Sequence, residues 1–404
     1  MTAGKKTGAA RLVVCLFCMV LAVLAPFRAS AQDEEKPISF ARKLEITVTN
    51  SIAFERNGES VVIPLSQIRS TAADFNASFF RVKHATGNFE PLDIPSQILR
   101  APGQGENDGN LVFPLDLPPS GKTTVELWYN SSGAETTVYP TKAQSFPEWY
   151  HIASNVAWEN EIIAYRSYTG IVDFFAKSYP HLRLHDLPPD SYHHERFWGI
   201  DPYVVGTKPG LCGVMLIVDG KRVPCYGAEE QSGLTYEHGA YEGGPVGTGA
   251  IVRVSDNDGP VLEEHYLLYH KRFENRIRTI LAPSYRGKDI LLAPGIQKFE
   301  DEGVIVDETA GFMAYMGQPV KEYGTIGTAL IWNPRDARGT FETEDGCFVQ
   351  LKPSSKGEAV YRNVAVWYRG SADLPKTNKN FLEFVKRLAR ECAAPVTVTV
   401  STVN

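Results

Sequence analysis

The sequence predicts a mostly β protein: a small amino-terminal β-sandwich, then a large antiparallel β-sandwich, with one helix close to the carboxyl end. Three observations carry that expectation. Short segments rich in Val, Ile, Thr and Tyr alternate apolar with polar residues, the period of a half-buried strand. Gly, Pro, Asn and Asp interrupt the 404 residues often, with 34 glycines and 26 prolines, and leave no regular helical period between the strands. A helical period occurs convincingly once, near the end.

In chain order, residues 1–31 read as a cleavable secretory signal peptide. Lys5, Lys6 and Arg11 precede an apolar run over 12–24, and Ala29-Ser30-Ala31 supplies the small-x-small cleavage site. The run falls short of the ~20 residues that span a bilayer, so no membrane partner is expected after cleavage, and the expected location is periplasmic or extracellular. Residues 32–41 form an acidic linker. Residues 42–142 hold the first sandwich, with strands at 44–49, 60–64 behind the Asn57-Gly58 turn, 111–117 and 123–129, and a polar loop at 101–110. Residues 146–404 hold the larger sandwich and the expected site. Its strands are read at 161–168, 204–205, 212–218, 250–254, 263–273, 276–281, 326–332, 348–352 and 359–367. Asp219-Gly220 is a two-residue hairpin turn. Asn380 and Glu383 make a capping box for a helix with Phe381, Val385 and Leu388 on one side and Lys386, Arg387 and Arg390 on the other. The alternating run 396–400 adds a last strand.

The formal net charge of −6 becomes −10 once the leader, with its four cations and no acid, is removed. With no basic block, nucleic acid is excluded as a partner. Cys212, Cys225, Cys347 and Cys392 remain. The hairpin register makes Cys212 and Cys225 diagonal neighbours, so a bridge between them requires a bulge, and no pairing is assigned.

Chemistry-bearing residues concentrate between positions 149 and 203. His151, His181, His185, His193 and His194 are five of the nine histidines. Trp158, Glu159, Asn160 and Arg166 offer a stacking face, polar donors and acceptors, and a two-pronged grip on a carboxylate, which suits a uronic acid. The same four also fit a core tryptophan at a domain junction with an ion pair beside it. His193 is a candidate proton acceptor, Tyr203 a candidate acid and Asp201 the group that orients the imidazole. His194 and Trp198 are candidate substrate contacts. His181 and His185 are four apart, but Pro180, Pro188 and Pro189 remove the helix that would give this spacing a metal-binding meaning. No cofactor is expected, a structural or catalytic divalent cation being the less favoured alternative. The glycine-rich run 243–249 lacks the Lys and Ser/Thr of a phosphate loop, and no Gly-x-Ser-x-Gly elbow occurs.

The stretches WENEIIAYRSY (158–168), YHHERFWGIDPYVVG (192–206) and IGTALIWNP (326–334), with Gly210 and Gly213, resemble the bacterial domain-of-unknown-function family 4861. The chain departs from that family's pattern at Glu161-Ile162 and at Phe197 or Trp198, where a glycine is usual. The resemblance implies an exported protein found beside polysaccharide-degrading enzymes, with a relative assigned as an oligosaccharide dehydratase acting on uronic acids. It implies roles for Glu159, Asn160, Arg166, His193, Asp201 and Tyr203. The expected function is therefore a secreted lyase or dehydratase performing elimination on uronate-containing oligosaccharides. The alternatives are a non-catalytic glycan-binding protein using Trp158, Trp198 and neighbouring aromatics as platforms, and a metal-dependent glycan hydrolase.

Overall fold

Alternation in the sequence becomes antiparallel pairing between the strands of the computed structural model, which describes residues 40–85, 92–133, 138–149, 155–187, 192–227, 232–286, 288–371 and 373–403. The leader at 1–31, the linker up to residue 39, and His151 lie outside the described residues. In the amino-terminal part, strands Arg42–Thr49, Phe80–His84, Asp93–Ile94 and Lys122–Tyr129 share a sheet with Thr397–Thr402 from the other end of the chain. This sheet and a second of Arg56–Pro64, Gln97–Leu99 and Asn110–Leu117 close over one apolar core containing Ile46, Val48, Ile63, Phe113 and Leu127. The alternating run near the carboxyl end is thus the edge strand of the first sheet, with Leu44 opposite Thr402 and Thr49 opposite Thr397.

The larger part has three sheets around a second core. One joins Ala143–Pro147, Asn155–Asn160, Ile163–Tyr168, Ile171–Lys177 and Gly199–Ile200. Another joins Val214–Val218, Lys221–Pro224, Ile290–Gln297, Ala337–Glu342 and Gly346–Leu351. The eight-stranded third runs from Thr235–Ala240 through Gly247–Asp256, Gly259–Tyr269, Glu274–Leu281, Glu358–Trp367, Ile326–Trp332 and Phe312–Gly317 to Ile305–Asp307. Trp158, Phe174, Leu216, Leu292, Tyr266 and Trp332 belong to the core they share. The Asp219-Gly220 turn forms as read: both residues are left-handed, and Val218 faces Lys221. Cys212, Cys225, Cys347 and Cys392 are all free thiols.

Helix Asn378–Ala393 buries Phe381, Val385, Leu388 and Ala389 beside Phe312, Ala329 and Ile331. Its cap is Thr377 rather than Asn380: the Thr377 side chain accepts from Asn380 N at 3.2 Å. Thr377 is extended, whereas Asn378 is already helical, so the capping oxygen sits three residues earlier than the sequence motif placed it. A short helix, Leu65–Thr71, forms where none was expected. No helix among the described residues is long and apolar enough to cross a membrane.

A buried hydrogen-bonded chain and a buried carboxyl mark how tightly the core is specified. The Trp158 indole donates to Asn275 Oδ1 at 2.7 Å, Asn275 Nδ2 donates to Asn363 Oδ1 at 2.8 Å, and Asn363 Nδ2 reaches Cys212 Sγ at 3.1 Å. Glu264 points inward from the same strand face as Leu262, Tyr266 and Leu268, and Tyr361 OH donates to it at 3.2 Å. Burial pushes the Glu264 carboxyl from 4.5 up to about 8. Between those two pH values the folded chain keeps a proton that the unfolded chain has released, so Glu264 lowers stability as pH rises through that window. Glu264→Gln removes this dependence. Its unfolding free energy, measured in urea, is expected to gain on the parent by roughly 1.4 kcal/mol per pH unit across the window.

Candidate active site

The site forms on the face of the five-stranded sheet that turns away from the main core. Thr169 and Gly170 are both left-handed, with φ of 50° and 71°, and join Ile163–Tyr168 to Ile171–Lys177 as a two-residue hairpin turn. A Cβ at Gly170 would lie 2.7 Å from Cys225 O, so only glycine fits. The turn sets Tyr168 against Ile171 and therefore Arg166 against Asp173. Strand alternation sends Tyr165, Val172 and Phe174 into the core and leaves Arg166 and Asp173 on the opposite face, with Ala164 and Phe175.

Residues 178–187 and 192–201 fold over that face, and this cover is pinned at both ends. The buried Glu159 carboxylate accepts from Arg183 N at 2.8 and 2.9 Å, Leu184 N at 2.7 Å and Gln144 Nε2 at 2.5 Å, and pairs with Lys177 Nζ. At the far end Gly199 and Ile200 pair with Lys177 and Ala176. A Cβ on Gly199 would come within 1.8 Å of Ala176 O. Between these points Trp198 packs with Trp149, Phe175, Leu184 and Leu187, and Asp201 N donates to Tyr192 O at 2.7 Å.

Under this cover the Arg166 guanidinium bonds Asp173 and lies 3.6 Å from Asp201 Oδ2. Aromatic rings surround it: Tyr168 and Phe175 at 5.2 Å, Tyr192 at 5.5 Å and Trp149 at 5.8 Å. His193 follows Tyr192 with 61% of its side chain exposed, and its Nδ1 is 3.5 Å from Asp201 Oδ2. Arg166 Nε, Asp173 Oδ1 and Asp201 Oδ2 are buried without a hydrogen-bond partner among the described residues. One unsatisfied guanidinium nitrogen with two unsatisfied carboxyl oxygens beside it is what a polar ligand would complete.

Two carboxyls share one cation here. Burial raises both Asp173 and Asp201, Asp201 further through the like charge of Asp173, while Arg166 opposes both shifts. Burial alone would weaken the Arg166 charge, but Asp173 first and then Asp201 outweigh it and keep the guanidinium protonated. Burial, then Arg166 and His194, lower His193 below its ordinary 6.5. His193 is lowered and Asp201 raised, so both shifts favour the uncharged forms and weaken the 3.5 Å His193–Asp201 contact as an ion pair. Burial, then Asp173, raise the Tyr168 hydroxyl, which keeps its proton.

The structure brings together Arg166, His193 and Asp201 of the residues singled out by sequence, with His194 exposed next to His193. It removes the others. Trp158 is fully buried and points into the core, because its neighbours in the strand alternate across the sheet. Glu159 holds the covering segment instead of facing a ligand. Asn160 is saturated: its Oδ1 accepts from Ile162 N and Ile163 N at 2.9 and 3.1 Å, and its Nδ2 donates to Tyr269 O and Arg272 O, each at 2.7 Å. Tyr203 is buried with its hydroxyl donated to Gly210 O at 3.1 Å, so it is no proton donor to a ligand. Trp198 lies in the apolar cluster rather than on a surface. Sequence reading missed Tyr168, Asp173, Tyr192 and Trp149; the Thr169-Gly170 turn was the signal that pairs Arg166 with Asp173. Among the described residues no group of three or more His, Cys, Asp or Glu is placed to hold a metal ion.

No curated protein matches the chain in sequence. Among solved structures, it is similar to a protein in the glycosyl hydrolase family 38 from Enterococcus faecalis, with 11% identity and a TM-score of 0.51 over 89% of this chain. The chain spans about half of that protein, 47% of its length, so the likeness is one of fold. A family model described as "Domain of unknown function (DUF4861)" matches residues 48–398, and with that span the chain belongs to the DUF4861 family.

Proposed function

We propose that this protein is an exported carbohydrate-active enzyme that eliminates water or an alcohol from a uronate-containing oligosaccharide. The observation that supports the reading best is the grouping of a permanent cation, an exposed imidazole and a phenol that keeps its proton, with one guanidinium nitrogen and two carboxyl oxygens left without a partner among the described residues. Elimination needs those three parts. Arg166 faces the substrate carboxylate and stabilises the charge that develops on it. His193 removes the proton on the carbon next to the carboxylate. Tyr168 delivers a proton to the departing oxygen, and a carbon–carbon double bond remains. The raised Asp201 carboxyl takes up a proton more readily than an ordinary aspartate, which lessens the negative charge that an arriving carboxylate meets beside Arg166. Asp201 positions the imidazole and is not itself the base. The binding-only reading loses its two tryptophan platforms, since Trp158 and Trp198 are buried.

Uronate oligosaccharides incubated with the protein are expected to gain the ultraviolet absorbance of an unsaturated acid, with mass spectrometry separating loss of water from chain cleavage. His193 acts only when neutral, and its pKa lies below 6.5. The acid limb of kcat/KM should therefore fall below that value, with a plateau extending to alkaline pH because Tyr168 stays protonated. Glycan binding without any unsaturated product, or new reducing ends without unsaturation, would overturn the proposal in favour of a binder or a hydrolase.

A further inference from the structure

A cavity of about 570 Å³ lies beside the candidate site, walled by the segment after Asp201, by Gln297 to Asp301, and by Pro319-Val320. Two of these walls also hold the candidate site. Val204 follows Asp201 by three residues, at most about 10 Å of chain. On the other side Tyr323 N donates to Val320 O at 3.0 Å, while Tyr323 OH donates to His193 O at 2.9 Å. An oligosaccharide reacting at His193 reaches the cavity within a few rings.

The lining has two kinds of surface. Phe299, wedged against Tyr203 at 5.5 Å and Tyr315 at 4.8 Å, gives it an apolar wall with Val204 and Val320. Gln297, 2% exposed, donates to Val204 O at 2.9 Å, and its Oε1 is buried with no partner among the described residues. That acceptor calls for a hydroxyl or amide donor. Lys208 is the one cation, set against Glu300 and Asp301, so the lining carries a net negative formal charge. An apolar face with hydroxyl-bonding groups and no spare cation suits an uncharged sugar ring and repels a second carboxylate.

We infer that this cavity is a subsite for a neutral sugar unit adjacent to the reacting uronate, so that the substrate class is a mixed polymer of uronic acids and neutral sugars rather than a polyuronate. The inference rests on the function proposed above. It also gives Tyr203 a place: its ring supports Phe299 in the cavity wall instead of delivering a proton.

Calorimetry on His193→Gln, which holds substrate without turning it over, compares two probes: an unsulfated tetrasaccharide alternating glucuronate with N-acetylglucosamine, and tetragalacturonate. The mixed probe is expected to bind about tenfold more tightly, the scale of one ring's contacts. Val204→Trp, added to the same protein at a position 57% exposed, should fill the cavity and abolish that advantage. If the tryptophan disturbs the thermal midpoint, Lys208→Trp on the same wall replaces it. Equal binding of the two probes, an advantage that survives both tryptophans, or binding of neither probe overturns the inference. The functional reading fails separately, through absence of unsaturated product from the parent protein.

Discussion

Replacing His193 with glutamine is expected to lower kcat for elimination by about a hundred- to ten-thousandfold, the range a positioned proton acceptor supplies. The thermal midpoint should not move, because the side chain is mostly exposed and glutamine can keep its contacts with Asp201 and the Tyr192 ring. KM should change little, since the imidazole acts on a carbon–hydrogen bond and contributes little to ground-state binding. Tyr168→Phe tests the other end of the transfer. It keeps the ring against Arg166 and removes only the hydroxyl, so substrates with a good leaving group should be spared relative to those with a poor one. Steady-state kinetics on both variants decide the assignment: equal kcat in parent and His193→Gln refutes His193 as base, and equal sensitivity of Tyr168→Phe to all leaving groups refutes Tyr168 as acid.

Glu159→Ala is expected to destabilise the fold by about 3–5 kcal/mol, as removal of one partner from a buried ion pair does. Lys177 is fully buried, and burial lowers its pKa with Glu159 as the chief opposing charge. Without Glu159 it keeps only the carbonyls of Asn160 and His181. The Arg183 and Leu184 amides lose their acceptor as well, so the segment that covers the site should loosen and activity should fall with stability. Adding Lys177→Met to Glu159→Ala should recover part of the loss, because no unpaired charge is then buried. Urea unfolding of the two singles and the double measures that coupling. Additive effects would mean that the pair does not stabilise the fold as a unit.

Much of the architecture was legible because it is written locally. Alternation exposes a strand, a left-handed Asp-Gly exposes a hairpin, and Phe381, Val385 and Leu388 at helical spacing expose the one long helix. The segment carrying the site was legible too, since its histidines and charged residues stand close in sequence. Individual roles were not. Trp158, Glu159 and Asn160 look like one recognition motif, yet a strand sends the first to the core and the second to the other face, and a turn consumes the third. Whether an outward-facing residue is solvated depends on what lies above it, here a segment some twenty residues further on. Tyr203 failed for the same reason: its hydroxyl is claimed by Gly210 O, a partner only the folded chain supplies.

The pairing of Thr397–Thr402 with Arg42–Thr49 has a temporal meaning. Strand Arg42–Thr49 is synthesised well before its partner, and one side of it stays unpaired until residues 397–402 leave the ribosome. Throughout that interval its free amides and carbonyls are open to any other extended chain. Closing so distant a contact is slow, because most of the polypeptide must be organised first. A nascent chain of this protein therefore carries an unprotected strand edge until that distant partner emerges.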